Sequence, residues 1–182
     1  MIIGITGKSG SGKSTLAKKI LEKKENAVYL EIDKIGHKVL TFPDVEEEIV
    51  KTFGKDVINE DKVDRKKLGD IVFNSREEWN KLNKISWEYM KVEIDNLIEE
   101  NKDKVIIIDW LLLPLSHYFD MCDIKILLDI PYNIRKERAM KRDNITEEAF
   151  DLREKASIDF DKDKFDYVLE TDEKIKRMVK TL

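Results

Sequence analysis

A glycine-rich stretch followed by lysine and serine lies near the amino terminus, and its residue types suit a polyphosphate. Residues 7–14, the phosphate loop, match the pattern Gly-x-x-x-x-Gly-Lys-Ser. Glycine lets a backbone curl closely enough for its N–H groups to hold phosphate oxygens. The Lys13 ammonium can reach the β- and γ-phosphates, and the Ser14 hydroxyl can bind Mg²⁺. The pattern predicts a nucleoside triphosphate site with contacts from Gly7, Lys8, Ser9, Gly10, Ser11, Gly12, Lys13, Ser14 and Thr15.

The elements on either side of the phosphate loop are those that such a site needs. Ile2, Ile3 and Ile5 indicate a buried strand before the loop, and residues 15–23 have the periodicity of an amphipathic helix after it. That helix directs the positive end of its dipole toward a bound anion. The strand and the helix therefore favour a phosphate site over a glycine- and serine-rich turn without a ligand.

Composition limits the partners of this site. The 182 residues suit one domain with a sizeable core. Charged residues make up 40% of the chain, but the signs are mixed and the formal net charge is only -4. Because no broad cationic field results, we expect a small-molecule partner and no nucleic acid. The sequence does not indicate an oligomeric state.

Cysteine usage and hydropathy indicate a cytoplasmic protein. Cys122 is the only cysteine, so we expect no disulfide, and with His37 and His117 it does not form a plausible zinc ligand set. The longest apolar run, residues 105–115, is interrupted by Asp109 and is too short to span a bilayer. We expect no leader segment and no membrane partner.

A second strand, predicted over residues 27–33, carries two carboxylates at its end. Glu31 and Asp33 are separated by one residue, so both would point to the same face. The carboxyl ends of parallel strands line the ligand crevice of an open sheet. Asp33 is therefore predicted to act as a base, or as an Mg²⁺-linked carboxylate, that orients an acceptor hydroxyl. The alternative is that Asp33 caps a helix beginning at Lys34.

A long, charged and mainly helical stretch, at about residues 42–101, follows this strand. Its patterns predict helices over residues 43–53, 64–73 and 75–99. In P-loop kinases such an excursion between the second and third strands binds the acceptor. Arg65 is its most suggestive cation, and the alternative is a solvated arginine at a helix start.

Asp109 ends the third predicted strand, residues 104–109. Four consecutive apolar residues before a carboxylate fit a central parallel strand that is covered on both faces. Asp109 has the form of a Walker B acid, which could hold Mg²⁺ directly or through water. The alternative is a strand-end carboxylate that accepts hydrogen bonds from loop N–H groups.

The fourth strand is predicted over residues 123–129, and the helix predicted after Pro131 contains Arg135, Arg138 and Arg142. Arg138 and Arg142 lie four residues apart and therefore share one helix face. Two guanidinium groups on one face suit the clamping of phosphates from a lid, here predicted at about residues 132–162. The alternative is an exposed basic helix.

With a fifth strand at residues 165–170, the chain reads as five strands alternating with helices. This order predicts an α/β fold: a three-layer P-loop kinase fold with a five-stranded parallel sheet and a helical acceptor-binding and lid region. No internal repeat or linker interrupts the pattern, so residues 1–182 are predicted to form a single domain.

Several segments together resemble the dephospho-coenzyme A kinase family, across nearly the full length. The matching segments are residues 5–15, Glu-Ile-Asp-Lys-Ile-Gly-His at 31–37, Phe53-Gly54, Asp-Arg-Lys-Lys-Leu-Gly-Asp-Ile-Val-Phe at 64–73, Leu82-x-x-Ile85, Arg138-x-x-x-Arg142 and Phe-Asp-Tyr-Val at 165–168. The phosphate loop is shared by many nucleotide-binding proteins, whereas the segments at 31–37 and 64–73 are more discriminating.

The resemblance implies a reaction: ATP phosphorylates the 3′-hydroxyl of dephospho-coenzyme A, in the last step of coenzyme A synthesis. It also implies residue roles. Asp33 would be the catalytic base and Arg65 an acceptor-site cation. Lys13 and Ser14 would bind phosphate and Mg²⁺, and Arg138 and Arg142 would be lid cations.

The chain departs from the family pattern in two segments expected to line the acceptor pocket. Trp87-Glu88 stands where the family usually has His-Pro, and Leu115 stands where it usually has glutamate. Trp87 would then contact the acceptor, and a related kinase of another nucleoside, nucleotide or small alcohol stays open. A third hypothesis is a nucleotide-binding regulator without transferase activity. Asp33 and the arginine pair speak against it, because a protein that only binds a nucleotide needs no base for an acceptor.

Overall fold

A computed structural model describes residues 1–60, 62–72, 75–155 and 157–181 of the protein. In chain order its main elements are β1 (Ile2–Thr6), α1 (Lys13–Lys23), β2 (Ala27–Glu31), α2 (Ile32–Val39), α3 (Pro43–Phe53), β3 (Ile58–Asn59), β4 (Lys62–Val63), α4 (Arg65–Val72), α5 (Arg76–Glu100), β5 (Val105–Asp109), β6 (Ile124–Leu128), α6 (Tyr132–Asp143), α7 (Glu147–Lys155), β7 (Tyr167–Leu169) and α8 (Asp172–Thr181). They form two compact units, the first comprising Met1–Glu31 with Asn101–Leu182 and the second Ile32–Glu100.

The first unit contains a five-stranded sheet in the order β2-β5-β1-β6-β7. All four strand pairs are parallel, which confirms the predicted sheet. β1 therefore lies in the middle, between β5 and β6. The phosphate loop leaves the sheet from this central strand.

Near-continuous apolar runs explain why these strands form the core of the first unit. Ile106, Ile107 and Ile108 of β5 are all buried, as are Ile3 and Ile5 of β1. Such runs suit central parallel strands, which have no solvent-facing side. Ile3, Ile5 and Ile107 form one cluster with apolar side chains of α1 and α8: Leu16, Ala17, Ile20, Ile175, Met178 and Val179.

The second unit consists of helices that pack on α5, together with a short antiparallel hairpin of β3 and β4. A side chain at Gly36 of α2 would lie 3.4 Å from the Met90 sulfur, so these two helices approach closely there. The Phe42 and Tyr89 rings meet edge to face, with centroids 6.5 Å apart.

Among the described residues of both units, no helix combines the length and the apolar composition that a membrane span needs.

Most predicted element bounds agree with the structure. The helix expected over residues 43–53 is present. The helix expected over 64–73 spans Arg65–Val72, and Phe73 lies outside the described residues. The hairpin of β3 and β4 was not predicted, because strands of two residues are too short to show an alternating pattern. The single domain over residues 1–182 stays a prediction.

The predicted strand over residues 27–33 was wrong at its end. β2 stops at Glu31, and α2 begins at Ile32, so Asp33 lies in the first turn of a helix. Ile32, Ile35 and Val39 are buried and have helical spacing. Their burial favours a helix over two more residues of strand. Glu31 and Asp33 therefore do not share a strand face.

Candidate active site

The phosphate loop adopts a backbone that requires glycine at two tightly packed positions. Gly7 and Gly10 have φ angles of +150° and +77°. A Cβ atom at Gly10 would lie 2.2 Å from the backbone oxygen of Arg135, and one at Gly7 would lie 2.6 Å from that of Leu128. Any side chain there would clash with backbone. The loop is therefore pressed against the end of β6 and the start of α6.

The loop leads into α1 in a way that leaves the helix start suited to an anion. Gly12 precedes the helix with φ +96°, no side chain caps the helix, and its first turn has no acidic residue. The first N–H groups of a helix without a capping side chain are available to a ligand. Lys13 Nζ donates to the Gly7 carbonyl oxygen at 2.9 Å, so the lysine side chain folds back along the loop.

Ser14 and Asp109, the two predicted metal ligands, lie next to each other. Ser14 Oγ donates to Asp109 Oδ2 at 2.9 Å. The register of β1 on β5, which pairs Ile5 with Asp109, produces this approach. Tyr29, from β2, donates to the same Asp109 oxygen at 2.8 Å. Tyr29 was not predicted as a site residue, because a tyrosine within an apolar strand carries no signal of its own.

The electrostatics of Asp109 reflect its burial. Only 3% of the residue is exposed, and this burial raises the pKa of its carboxyl group above the ordinary value. The Lys13 charge and the hydrogen bonds from Tyr29 and Ser14 act in the opposite direction. Burial also raises the pKa of the Tyr29 phenol, which therefore keeps its proton at neutral pH.

The hydroxyl oxygen of Ser14 and the carboxylate oxygen of Asp109 have the chemistry of Mg²⁺ ligands. Mg²⁺ prefers hard oxygen ligands and is usually bound through one or two carboxylates together with phosphates of the substrate. A serine hydroxyl and a carboxylate oxygen, 2.9 Å apart at the start of α1, supply such a set.

Arg135 is the arginine that contacts the phosphate loop. Its guanidinium donates to the backbone oxygens of Ser9, at 3.3 Å, and Ile130, at 2.8 Å. Glu154 of α7 pairs with this arginine and also with Lys8 of the loop. Arg138 and Arg142 were predicted as phosphate-binding residues from their mutual spacing. Arg135 occurs in the same helix, four residues after Pro131, and that position was its only signal.

Each predicted lid arginine is paired with a carboxylate. Arg138 Nη2 donates to both oxygens of Asp172, at 3.0 and 2.8 Å. Arg142 binds the neighbouring Asp143 through Nε and Nη2, at 2.7 and 2.9 Å. These contacts do not test a clamp on phosphate, which stays a prediction.

The three predicted acceptor-side residues all belong to the second unit. Asp33 is exposed in the first turn of α2, and Trp87 is half-buried in α5. Arg65 is the exposed first residue of α4. Asp64 caps that helix by accepting from the N–H groups of Lys66 and Lys67, at 2.9 and 3.2 Å. Their roles stay predictions.

A cavity of about 380 Å³ lies beside the phosphate loop within the first unit. Lys8 and Arg135 border it on the loop side. The other lining residues are Leu128, Asp129, Ile130, Pro131, Tyr132, Phe160 and Glu170. The lining therefore combines apolar and aromatic surface with a few charges, which is typical of small-molecule sites.

The parallel sheet, the phosphate loop at its central strand and the Ser14–Asp109 pair define the class of P-loop nucleotide-binding proteins. The sequence model of the dephospho-CoA kinase family matches residues 1–177. The chain therefore belongs to the dephospho-CoA kinase family, and it is an ATP-dependent kinase. This confirms the resemblance seen in the motifs.

One curated relative agrees with this assignment, and two solved structures share the fold. Dephospho-CoA kinase of Aquifex aeolicus strain VF5 is 37% identical over an alignment of 184 residues, gaps included. The alignment covers 98% of this chain and 92% of the relative. The crystal structure of TT1252 from Thermus thermophilus matches with a TM-score of 0.83 at 25% identity, covering 100% of this chain and 95% of that one. Dephospho-CoA kinase from Campylobacter jejuni has the same fold, with a TM-score of 0.61 at 23% identity and coverage of 99% and 96%.

Proposed function

We propose that the chain transfers the γ-phosphoryl group of ATP to the 3′-hydroxyl of dephospho-coenzyme A, the final step of coenzyme A synthesis. The observation that carries this proposal is the Ser14–Asp109 pair at the phosphate loop, in a chain that belongs to the dephospho-CoA kinase family. Phosphoryl transfer depends mainly on alignment of the two substrates and on neutralisation of charge.

Residues of the first unit would bind the donor. Backbone N–H groups of residues 7–12 and the start of α1 would hold the triphosphate, with Lys13 turning from the Gly7 carbonyl to the phosphates. Ser14 and Asp109 would hold Mg²⁺, which supplies neutralisation of the phosphate oxygens when it is bound. The 380 Å³ cavity, with Leu128, Ile130 and Phe160 in its wall, suits the adenosine moiety.

Asp33, Arg65 and Trp87 would serve the acceptor. Asp33 has an exposed carboxylate, as a base that accepts a hydroxyl proton requires. Arg65 would bind an acceptor phosphate through its guanidinium. Trp87 offers an aromatic face in a segment that departs from the family pattern.

Arg138 and Arg142 would complete the site as lid cations. Their ion pairs with Asp172 and Asp143 are partly exposed to solvent. The exposed fraction is 61% for the Asp172 side chain and 61% for the Arg142 side chain. Exposed ion pairs contribute little to stability. Exchange of these carboxylates for phosphate oxygens would therefore cost little.

We also place the protein in the cytoplasm, without nucleic-acid or membrane partners. The single cysteine, Cys122, is buried as a free thiol, which suits a reducing compartment. The mixed charge pattern with a net charge of -4 provides no broad surface for a polyanion.

An ATP-consumption screen tests the acceptor. Dephospho-coenzyme A, common nucleosides and nucleoside monophosphates are offered with ATP and Mg²⁺, and the phosphorylated product is identified. We expect turnover of dephospho-coenzyme A, because the chain belongs to that family. Robust turnover of another acceptor together with none of dephospho-coenzyme A would reject the proposal and favour a kinase of related specificity.

Replacement of Asp33 by asparagine tests the base. If Asp33 accepts the hydroxyl proton, kcat should fall by roughly 10²- to 10⁴-fold while the KM for ATP stays that of the parent. Asp44→Asn is the matched control, because Asp44 is an exposed carboxylate in the first turn of α3. Equal kcat values for the two variants would remove Asp33 from this role.

A further inference from the structure

Glu154 lies at the centre of a charged cluster beside the phosphate loop. Its two oxygens accept from Arg135 Nη1 and Nη2, at 2.7 and 2.9 Å. One of them also accepts from Lys8 Nζ at 3.2 Å. Asp159 Oδ1 lies 3.5 Å from the same Lys8 nitrogen. A bidentate arginine–carboxylate pair of this kind is both strong and specific in orientation.

Arg135 links this carboxylate to the loop backbone. The residue is only 5% exposed, and its guanidinium reaches the Ser9 and Ile130 carbonyl oxygens. Its own backbone lies directly against Gly10. Three consecutive loop residues, 8 to 10, therefore contact either Arg135 or Glu154.

A carboxylate near a phosphate site would repel the ligand unless its charge were offset. Here two cations face Glu154, and the Arg135 hydrogen bond is the main cause of a lowered Glu154 pKa, with a smaller contribution from Lys8 against the effect of burial. Glu154 is thus ionised at neutral pH, and its contacts with Arg135 and Lys8 set the direction of both side chains.

We propose that Glu154 is a positioning residue of the donor site. It holds Lys8 and Arg135 in place, and through them it fixes the backbone of residues 8–10 so that its N–H groups face the triphosphate. Helix α7 is in this way coupled to nucleotide affinity. The proposal rests on the donor role proposed above for the phosphate loop.

The test compares Glu154→Gln with Glu147→Gln in the full chain. Glu147 lies on the same helix and pairs with Lys136, and 59% of its side chain is exposed. The dissociation constant of Mg²⁺–ADP is measured by calorimetry, which needs no knowledge of the acceptor. We expect Glu154→Gln to raise the dissociation constant about tenfold, which corresponds to the free energy of about one charge-assisted hydrogen bond. Glu147→Gln should leave the dissociation constant unchanged.

Kinetics and a double variant separate positioning from general destabilisation. Glu154→Gln should raise the KM for ATP and leave kcat at saturating ATP close to that of the parent. Lys8→Met should also weaken ADP binding, and Lys8→Met combined with Glu154→Gln should lose less than the sum of the single losses. Additive losses would mean that the two residues act separately and would overturn the proposal.

Other outcomes are equally decisive. The proposal would be overturned if Glu154→Gln bound ADP with the affinity of the parent. It would also be overturned if the variant bound ADP more tightly, because the Glu154 carboxylate would then repel the phosphates and not support their binding. If Glu154→Gln does not fold, Glu154→Asp replaces it, since it keeps the charge but is one methylene shorter. Unchanged ADP affinity of that variant would contradict the proposal. A parent chain that does not bind ADP would instead refute the donor site itself.

Discussion

At the scale of single residues, burial and hydrogen bonding act on the Asp109 carboxylate in opposite directions. One of its oxygens accepts from both Ser14 and Tyr29. Burial alone would favour the neutral acid, and the two donors together with the Lys13 charge counteract this effect. Tyr29 thus supports a residue that would hold the metal, although Tyr29 itself lies outside every motif.

Replacement of Tyr29 by phenylalanine should weaken the response to Mg²⁺. The variant loses the 2.8 Å hydrogen bond to Asp109 but keeps the ring. Loss of a partner that orients a metal ligand typically costs about 10- to 100-fold in metal affinity, so the Mg²⁺ concentration for half-maximal activity should rise at least about tenfold. It is measured by titration with Mg²⁺ at saturating ATP.

Tyr167→Phe provides the control, because Tyr167 of β7 is exposed. We expect its Mg²⁺ titration to match that of the parent. A Tyr29→Phe titration that also matches the parent would show that Ser14 alone is sufficient to orient Asp109.

At the scale of elements, a charged junction joins α6 and α7, which lie within the predicted lid. Asp143 is the last residue of α6, and it accepts from both Arg142 and Arg153. Asn144 follows in the left-handed conformation, with φ +51°. Asparagine tolerates this conformation better than most residues, which allows the helix to end there. The junction is therefore held by local backbone geometry and by one carboxylate with two cationic partners.

The Asp143 carboxylate should make stability depend on pH in the acid range. The Arg142 hydrogen bond is the main cause that lowers the pKa of Asp143 from 3.8 to about 2, and Arg153 adds to it. Because the folded pKa lies below the unfolded one, the contribution is fully present above about pH 4, decreases below it and is lost by about pH 2. Because the side chains of Arg142 and Arg153 are 61% and 45% exposed, solvent screening limits this contribution to at most about 1 kcal/mol.

Chemical unfolding of Asp143→Asn and of the parent, measured from pH 2 to pH 6, checks this expectation. The free energies of unfolding should differ at pH 6 and converge as the pH falls toward 2. Asp163→Asn, at an exposed position, is the control. A difference that is constant across this range would show that Asp143 contributes through something other than its charge.

At the scale of the molecule, strand order explains why the donor-side residues meet. The order β2-β5-β1-β6-β7 places the ends of β2 and β5 beside the loop that leaves β1. Tyr29, Asp109 and Ser14 come from three different segments and still share hydrogen bonds. The carboxyl ends of parallel strands form the ligand crevice of such sheets. The sheet thus brings together groups that are far apart in the chain.

Features that depend on a few neighbouring residues were predictable. The phosphate loop, the five strands and the helix starting at Pro43 follow from glycine placement, apolar runs and helix-start residues, and the structure contains them all. The proximity of Ser14 and Asp109 was also expected from their motifs. The end of β2 was not predictable in this way, because strand and helix patterns overlap in residues 31–35 and burial favours the helix.

The sequence by itself determined the parallel α/β fold, the loop that leads into α1 and the membership of the dephospho-CoA kinase family. These properties are encoded in local backbone requirements and in short patterns of apolar residues. Only the tertiary structure decided which charged side chains pair, including Glu154 with Arg135 and Lys8. The physical reason is that a partly buried charge pairs with the opposite charges that tertiary packing places beside it, and no local pattern specifies partners that lie 19 and 146 residues away in the chain.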